Sequence, residues 1–175
     1  MADRRSKMRL VGLEVLQYGA VDNTTTFLTV TDLSTIGNVV PDSAHLLVDA
    51  PSTTDLYIEE EDMPDIQILG GRKFSLQFSL RDMGTQTLLT ALGGSAAAGV
   101  WRMPVTSNVI TEYAFRATSK TINGKQLQVD IPRASLRAGG DLKFARTDTG
   151  VLTFTCDVLL PESSTQIPPL RICML

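Results

Sequence analysis

The chain has 175 residues, 43% of them apolar and 20% charged, and a formal net charge of −3. That length suits one domain with a full core, and the slight acidity excludes a general pull toward nucleic acid or anionic membranes. The single histidine, His45, and the two cysteines, Cys156 and Cys173, lack the spacing of a zinc site. A Cys156–Cys173 disulfide stays open, because bridging needs a Cα geometry that spacing does not define.

Residues 1–8 carry Arg4, Arg5 and Lys7 and read as a flexible N-terminal arm ahead of one β domain over 9–175. The following run, LVGLEVLQYGA, is interrupted by Glu14 and Gln17, so export through a signal peptide is not expected. No apolar stretch reaches the length of a membrane-spanning helix. Residues 9–18 predict a first strand with Val11, Leu13 and Val15 on one face. Residues 32–38 read as a turn, and 39–49 as an extended segment that Pro41 assigns to an edge or bulge.

Residues 50–71 are the least core-like stretch. Glu59, Glu60, Glu61 and Asp62 form an acidic run that resists burial, because an unpaired buried carboxylate costs several kcal/mol. Apolar residues flank the run on both sides, and together they predict a long hairpin or loop that reaches out to a partner surface.

The stretch 72–94 changes period. Phe74, Leu76, Phe78 and Leu80 alternate with polar residues, as in a half-buried strand. Leu88, Leu89 and Leu92 then share one side of a short helix, with Asp82 placed to cap its start and Gly93-Gly94 to end it. Residues 95–107 read as a linker of small residues around Trp101. Beyond it, 108–118 alternates with Val109, Thr111, Tyr113, Phe115 and Ala117 on one side. Asn123-Gly124 predicts a tight hairpin turn. The strand 126–131 turns Leu127, Val129 and Ile131 inward, with an end or bulge at Pro132 and a turn at Gly139-Gly140. A last strand over 151–160 carries Leu152, Phe154, Cys156, Val158 and Leu160, and a proline-rich tail follows. Seven or eight strands and one helix predict a mainly β fold, a β-sandwich or partial barrel with one flanking helix.

Motifs for chemistry are absent. Gly124-Lys125 lacks the rest of a phosphate loop, and the residues around Ser95 do not form a nucleophile elbow. The acidic run lacks the alternation of a calcium loop. Arg133, Arg137, Lys143 and Arg146 cluster without aromatic platforms and read as a solvated face. No catalytic residue, cofactor site or metal site is predicted, and the chain is not expected to be an enzyme.

Two patterns carry a resemblance. The first is FSLQFSLRD followed by TQTLLTALGG. The second is NGKQLQVDIPRASLRAGG, then the DLKFARTDTG loop and VLTFTCDVLLP. In that order and spacing, over about the last hundred residues, the chain resembles the tail tube proteins of long-tailed bacteriophages and related contractile injection machines. The resemblance implies a β-sandwich or partial barrel with a helix packed on its side. It implies a structural virion protein whose homo-hexameric rings stack into the hollow tail tube through which DNA is ejected. It also implies assembly in the host cytoplasm, localisation in the virion, and partners among the tape measure, terminator and baseplate proteins and, in contractile tails, a sheath. DNA would pass without specific binding.

Carried onto this sequence, Phe74, Leu76, Phe78 and Leu80 would form the sheet beneath the helix, and Leu88, Leu89 and Leu92 the helix face covering it. Asp55, Glu59, Glu60, Glu61, Asp62 and Asp65 would lie on the loop that contacts the next ring, with Arg4, Arg5 and Lys7 as its basic counterpart. A terminator or baseplate ring, a secreted injection-system tube protein, and a carbohydrate-binding β-sandwich are the alternatives.

Overall fold

A computed structural model describes residues 12–21, 33–56, 66–81, 84–104, 111–144, 149–162 and 167–175. Among the described residues the fold is mainly β, with one helix and a main sheet curled into a half-barrel. The strands are β1 (Leu13–Gly19), β2 (Leu33–Ile36), β3 (His45–Val48), β4 (Thr53–Leu56), β5 (Ile66–Leu69) and β6 (Phe74–Leu80). After the helix α1 (Thr85–Leu92) come β7 (Ser95–Ala97), β8 (Val100–Arg102), β9 (Thr111–Ser119), β10 (Leu127–Phe144), β11 (Thr149–Val158) and β12 (Arg171–Met174).

Seven strands run in the order β2-β1-β9-β10-β11-β6-β3, and β12 joins β10 off this path. All the pairings are antiparallel. The two edge strands, β2 and β3, are joined by residues 37–44, at most about 28 Å of extended chain. That connector bonds across to β6 through Val40 N to Ser79 O (2.8 Å) and Arg81 N to Asn38 O (3.1 Å). A chain this short can link both edges only because the sheet curls. Pro41 sits in the connector just before β3, as an edge position allows.

The inner face of the curl is the core. Leu76, Phe78 and Leu80 meet Phe115, Ile131, Leu136, Leu152, Phe154 and Cys156, all nearly inaccessible to solvent. Phe78 stacks on Phe154, with centroids 4.9 Å apart and planes within 5°. The alternation read from the sequence holds here because one face of an antiparallel sheet is dry.

Two bulges change the phase of that alternation. In β1 the register slips between Leu13 and Val15, so Leu16 and Tyr18 enter the core in place of the expected Val15. In β10 it slips between Ile131 and Ala134, at Pro132, which has no N–H for the ladder. Beyond that slip, Ala134 and Leu136 continue the inner face that Val129 and Ile131 began.

Other expectations are corrected. Residues 33–36 are a strand rather than a turn, and 95–102 form a small β7–β8 hairpin rather than a linker. Gly139 and Gly140 lie inside β10. A Cβ on Gly140 would stand 2.8 Å from the Val151 carbonyl oxygen and 2.8 Å from Leu152, so that glycine serves close strand approach instead of a turn. Leu160 lies beyond the end of β11 and is exposed. The Asn123-Gly124 turn is as expected, with φ of 52° and 73° and reciprocal bonds between Ile122 and Lys125.

The helix starts later than predicted. Its N-cap position is Gly84, with no side-chain cap bond, and Asp82, the expected cap, lies outside the described residues. At its end the Gly93 amide donates to Leu89 O with φ of 70°, as a glycine stop requires. Leu88 and Ala91 pack against the core, Leu89 is half-buried, and Leu92 is exposed rather than covering the sheet. The shift of the start to Thr85 leaves Gln86, Thr87 and Thr90 facing an apolar cavity of about 240 Å³ lined by Phe78, Phe115 and Phe154.

Candidate assembly surfaces

The ladder that pairs β3 with β6 does not stop at the edge of the sheet. Val48 pairs with Phe74, Asp49 N donates to Lys73 O (2.9 Å), and Gly70 N donates to Ser52 O (2.7 Å). The β4–β5 ladder then continues from Thr53↔Leu69 to Leu56↔Ile66. The four strands are therefore one two-stranded ribbon, rooted in the main sheet and running about 26 Å past Val48 at the usual strand rise. The hairpin expected over 50–71 is present, and Asp55 lies on it, exposed and accepting a bond from Gln67 Nε2 (2.9 Å).

The ribbon is not covered. Val48, Ile68 and Leu69 are exposed, Leu69 at 67%. Thr53–Leu69 and Thr54–Ile68 are neighbouring pairs, so Ile68 and Leu69 project to opposite faces. A two-stranded ribbon is marginally stable alone in water, and apolar residues on both of its faces mark it as a contact element. Glu59, Glu60, Glu61, Asp62 and Asp65, which the sequence places between its two strands, lie outside the described residues, as do Arg4, Arg5 and Lys7.

A different unit follows β6. Residues 84–104, comprising α1 and the β7–β8 hairpin, are spliced between the end of β6 at Leu80 and the start of β9 at Thr111. Leu80, which pairs with Leu152, is at the end of β6 away from the ribbon's root at Phe74. Trp101 Nε1 donates to Gly93 O (2.9 Å) and ties the hairpin to the helix end. This unit exposes Leu92, Val100 and Met103, Met103 at 72%. Arg81 and Arg102 are exposed beside these elements and make no ion pair among the described residues.

The outer face of the sheet is polar and internally neutralised. Asp130 on β10 is fully buried and lies directly across from Arg116 on β9 and Arg171 on β12. Its carboxylate accepts from Arg116 Nε (2.7 Å), Arg171 Nη2 (2.8 Å) and Gln128 Nε2 (2.9 and 3.0 Å). This triad fixes the tail as strand β12, and sequence reading missed it. The alternation Gln128, Asp130 on β10 opposite Arg116 was a signal that could have found it.

Arg133, from the basic cluster, donates to both Glu112 oxygens (2.7 and 3.1 Å), and Arg137 pairs with Asp157. The Arg133 guanidinium holds the Glu112 carboxyl below its ordinary range, and Glu112 in turn raises Arg133. These cations already have anionic partners, so they form no stripe for phosphates.

Sites for chemistry do not emerge among the described residues. No group of three metal-ligating side chains occurs there, and His45 is exposed on edge strand β3. Cys156 and Cys173 are free thiols, and burial pushes the Cys156 thiol well up. Tyr18 and Tyr113 pack edge-to-face inside the fold, and Trp101 is committed to Gly93, so none forms an open sugar platform. No described helix is long and apolar enough to cross a membrane. No family model matches the chain, and no curated protein matches it in sequence.

Proposed function

We propose that this chain is a structural subunit of a phage-type tail tube, assembling into hexameric rings that stack into a hollow conduit for DNA. The observation that carries the reading is the continuous ribbon from β3–β6 into β4–β5, which leaves the domain with apolar residues bare on both faces. A lone domain gains nothing from such a projection, whereas a contact with another copy would bury it. The edge strands β2 and β3 each leave one side without a ladder partner among the described residues. Pairing between neighbouring copies would satisfy those backbone groups.

The neutralised outer face suits a conduit that does not hold its cargo, because phosphate affinity comes from unpaired cations. On this reading the partners are further copies of the chain and the other tail proteins, in a virion assembled in the host cytoplasm. Negative-stain electron microscopy of the purified full chain over a range of concentrations tests it. Tubes or stacked rings with a central hole support it. Single rings that never stack point to a terminator, and a monomer at all concentrations overturns the reading.

A further inference from the structure

We infer that the cavity beneath α1 is a binding site for a small, neutral aromatic molecule of one or two fused rings with a single hydrogen-bonding group. The site lies within one copy of the chain and does not depend on the tube reading, so failure of either leaves the other standing.

The cavity holds about 240 Å³ between the helix and the inner face of the sheet. A dry apolar cavity of about 150 Å³ already takes up benzene, so the space suits one or two fused rings. Its floor is aromatic. Phe78, Phe115 and Phe154 line it, each at most 3% exposed. Phe78 and Phe154 lie parallel within 5°, and Phe115 tilts 58° from Phe78, so a planar guest meets both ring faces and ring edges. Exposed Thr35, Gly37 and Gln86 form its mouth.

Two features select the chemistry of the guest. No Asp, Glu, Lys, Arg or His lines the cavity among the described residues, so an entering ion would lose its water and gain no partner. On the helix wall, the Thr90 hydroxyl already donates to the backbone carbonyl of Gln86 (3.1 Å), whereas the Gln86 side-chain amide makes no hydrogen bond among the described residues. A polar group on the guest therefore finds its partner at Gln86.

The helix has something to gain. None of its eight residues is buried, and Leu88 and Ala91 pack only partly against the core. A ring in the cavity would supply contacts that α1 lacks. Because Trp101 Nε1 donates to Gly93 O, the β7–β8 hairpin would be steadied with it.

The test is calorimetric titration of the full chain with indole and, separately, with toluene, which carries no hydrogen-bonding group. Each probe is expected to fill one saturable site per chain. Hydrogen exchange at the Leu88 and Gly93 amides, which bond within and at the end of α1, is expected to slow with indole bound. Gln86→Leu is expected to weaken indole by about two- to tenfold, the range of one net hydrogen bond, and to leave toluene unchanged. Thr90→Leu places a larger side chain in the cavity and is expected to weaken both probes by about tenfold or more, with a native circular dichroism spectrum.

A probe that finds no saturable site overturns the assignment, as does undiminished binding by a natively folded Thr90→Leu variant. If Thr90→Leu fails to fold, Gln86→Leu decides: a loss for indole alone supports the site, and any other result overturns it.

Discussion

The amide of Gly70 donates to the carbonyl of Ser52 at 2.7 Å, and that bond joins two ladders into one ribbon. Without it, β4–β5 would be a separate hairpin on a loose tether. With it, the exposed residues of β5 are held on an extension of β6 and keep a fixed direction relative to the core. A projecting contact element needs that stiffness, because ordering a floppy hairpin on binding costs conformational entropy.

Removing the apolar residues of the ribbon should weaken association without touching the fold. Ile68→Ser with Leu69→Ser is expected to leave the unfolding free energy within about 0.5 kcal/mol of wild type, as for surface positions generally. The same variant is expected to shift sedimentation toward smaller species. Equilibrium urea unfolding and sedimentation velocity on one preparation check both halves.

The buried triad should dominate the stability of the C-terminal half. Arg116→Leu leaves Asp130 buried with a weakened set of partners and is expected to cost about 3–5 kcal/mol. Arg171→Leu, from a more exposed position and with Arg116 still in place, is expected to cost about 1–2 kcal/mol. Hydrogen exchange at Gln126, whose amide donates to Leu175 O just past β12, should accelerate in the second variant.

The two adjacent glycines of β10 should behave differently. Nothing lies within 4 Å of a Cβ on Gly139, whereas one on Gly140 meets Val151 and Leu152 at 2.8 Å. Gly140→Val is expected to cost about 1–3 kcal/mol by overpacking, and Gly139→Ala to be neutral within about 0.5 kcal/mol. Thermal unfolding of the pair separates a close-approach glycine from a permissive one.

The Glu112–Arg133 pair predicts an acid-side loss of stability. Glu112 has a lowered folded pKa, chiefly through its hydrogen bond from Arg133. Its contribution is therefore complete above the ordinary carboxyl range and disappears as pH falls through the lowered value. Glu112→Gln should flatten that part of the stability profile, with only a small effect at neutral pH because the pair is partly exposed. Urea midpoints between pH 2 and 7 check it.

Local pattern made much of the fold legible. Phe74 to Leu80 reads as a strand because alternation on a one-sided sheet survives wherever no bulge intervenes. Asn123-Gly124 reads as a turn because few residue pairs adopt two positive φ angles in succession. The bulge at Glu14 was not legible, since one extra residue changes phase without changing composition, whereas Pro132 marked an end or bulge in β10. The glycine pair in β10 misled for a related reason: glycine marks both turns and close strand contacts, and only Val151 across the ladder distinguishes them. For the assembly surfaces, the ribbon was visible as an acidic tip with apolar flanks.

The most direct measurement is sedimentation velocity on the full chain beside a variant in which residues 50–72 are replaced by a two-residue Asn-Gly turn. That deletion removes the ribbon and spares every strand of the main sheet. The wild-type chain is predicted to form species that grow in size with concentration, and the shortened chain to stop at a discrete ring. A wild-type chain that stays monomeric, or a shortened chain that polymerises as wild type does, would contradict the role given to the ribbon.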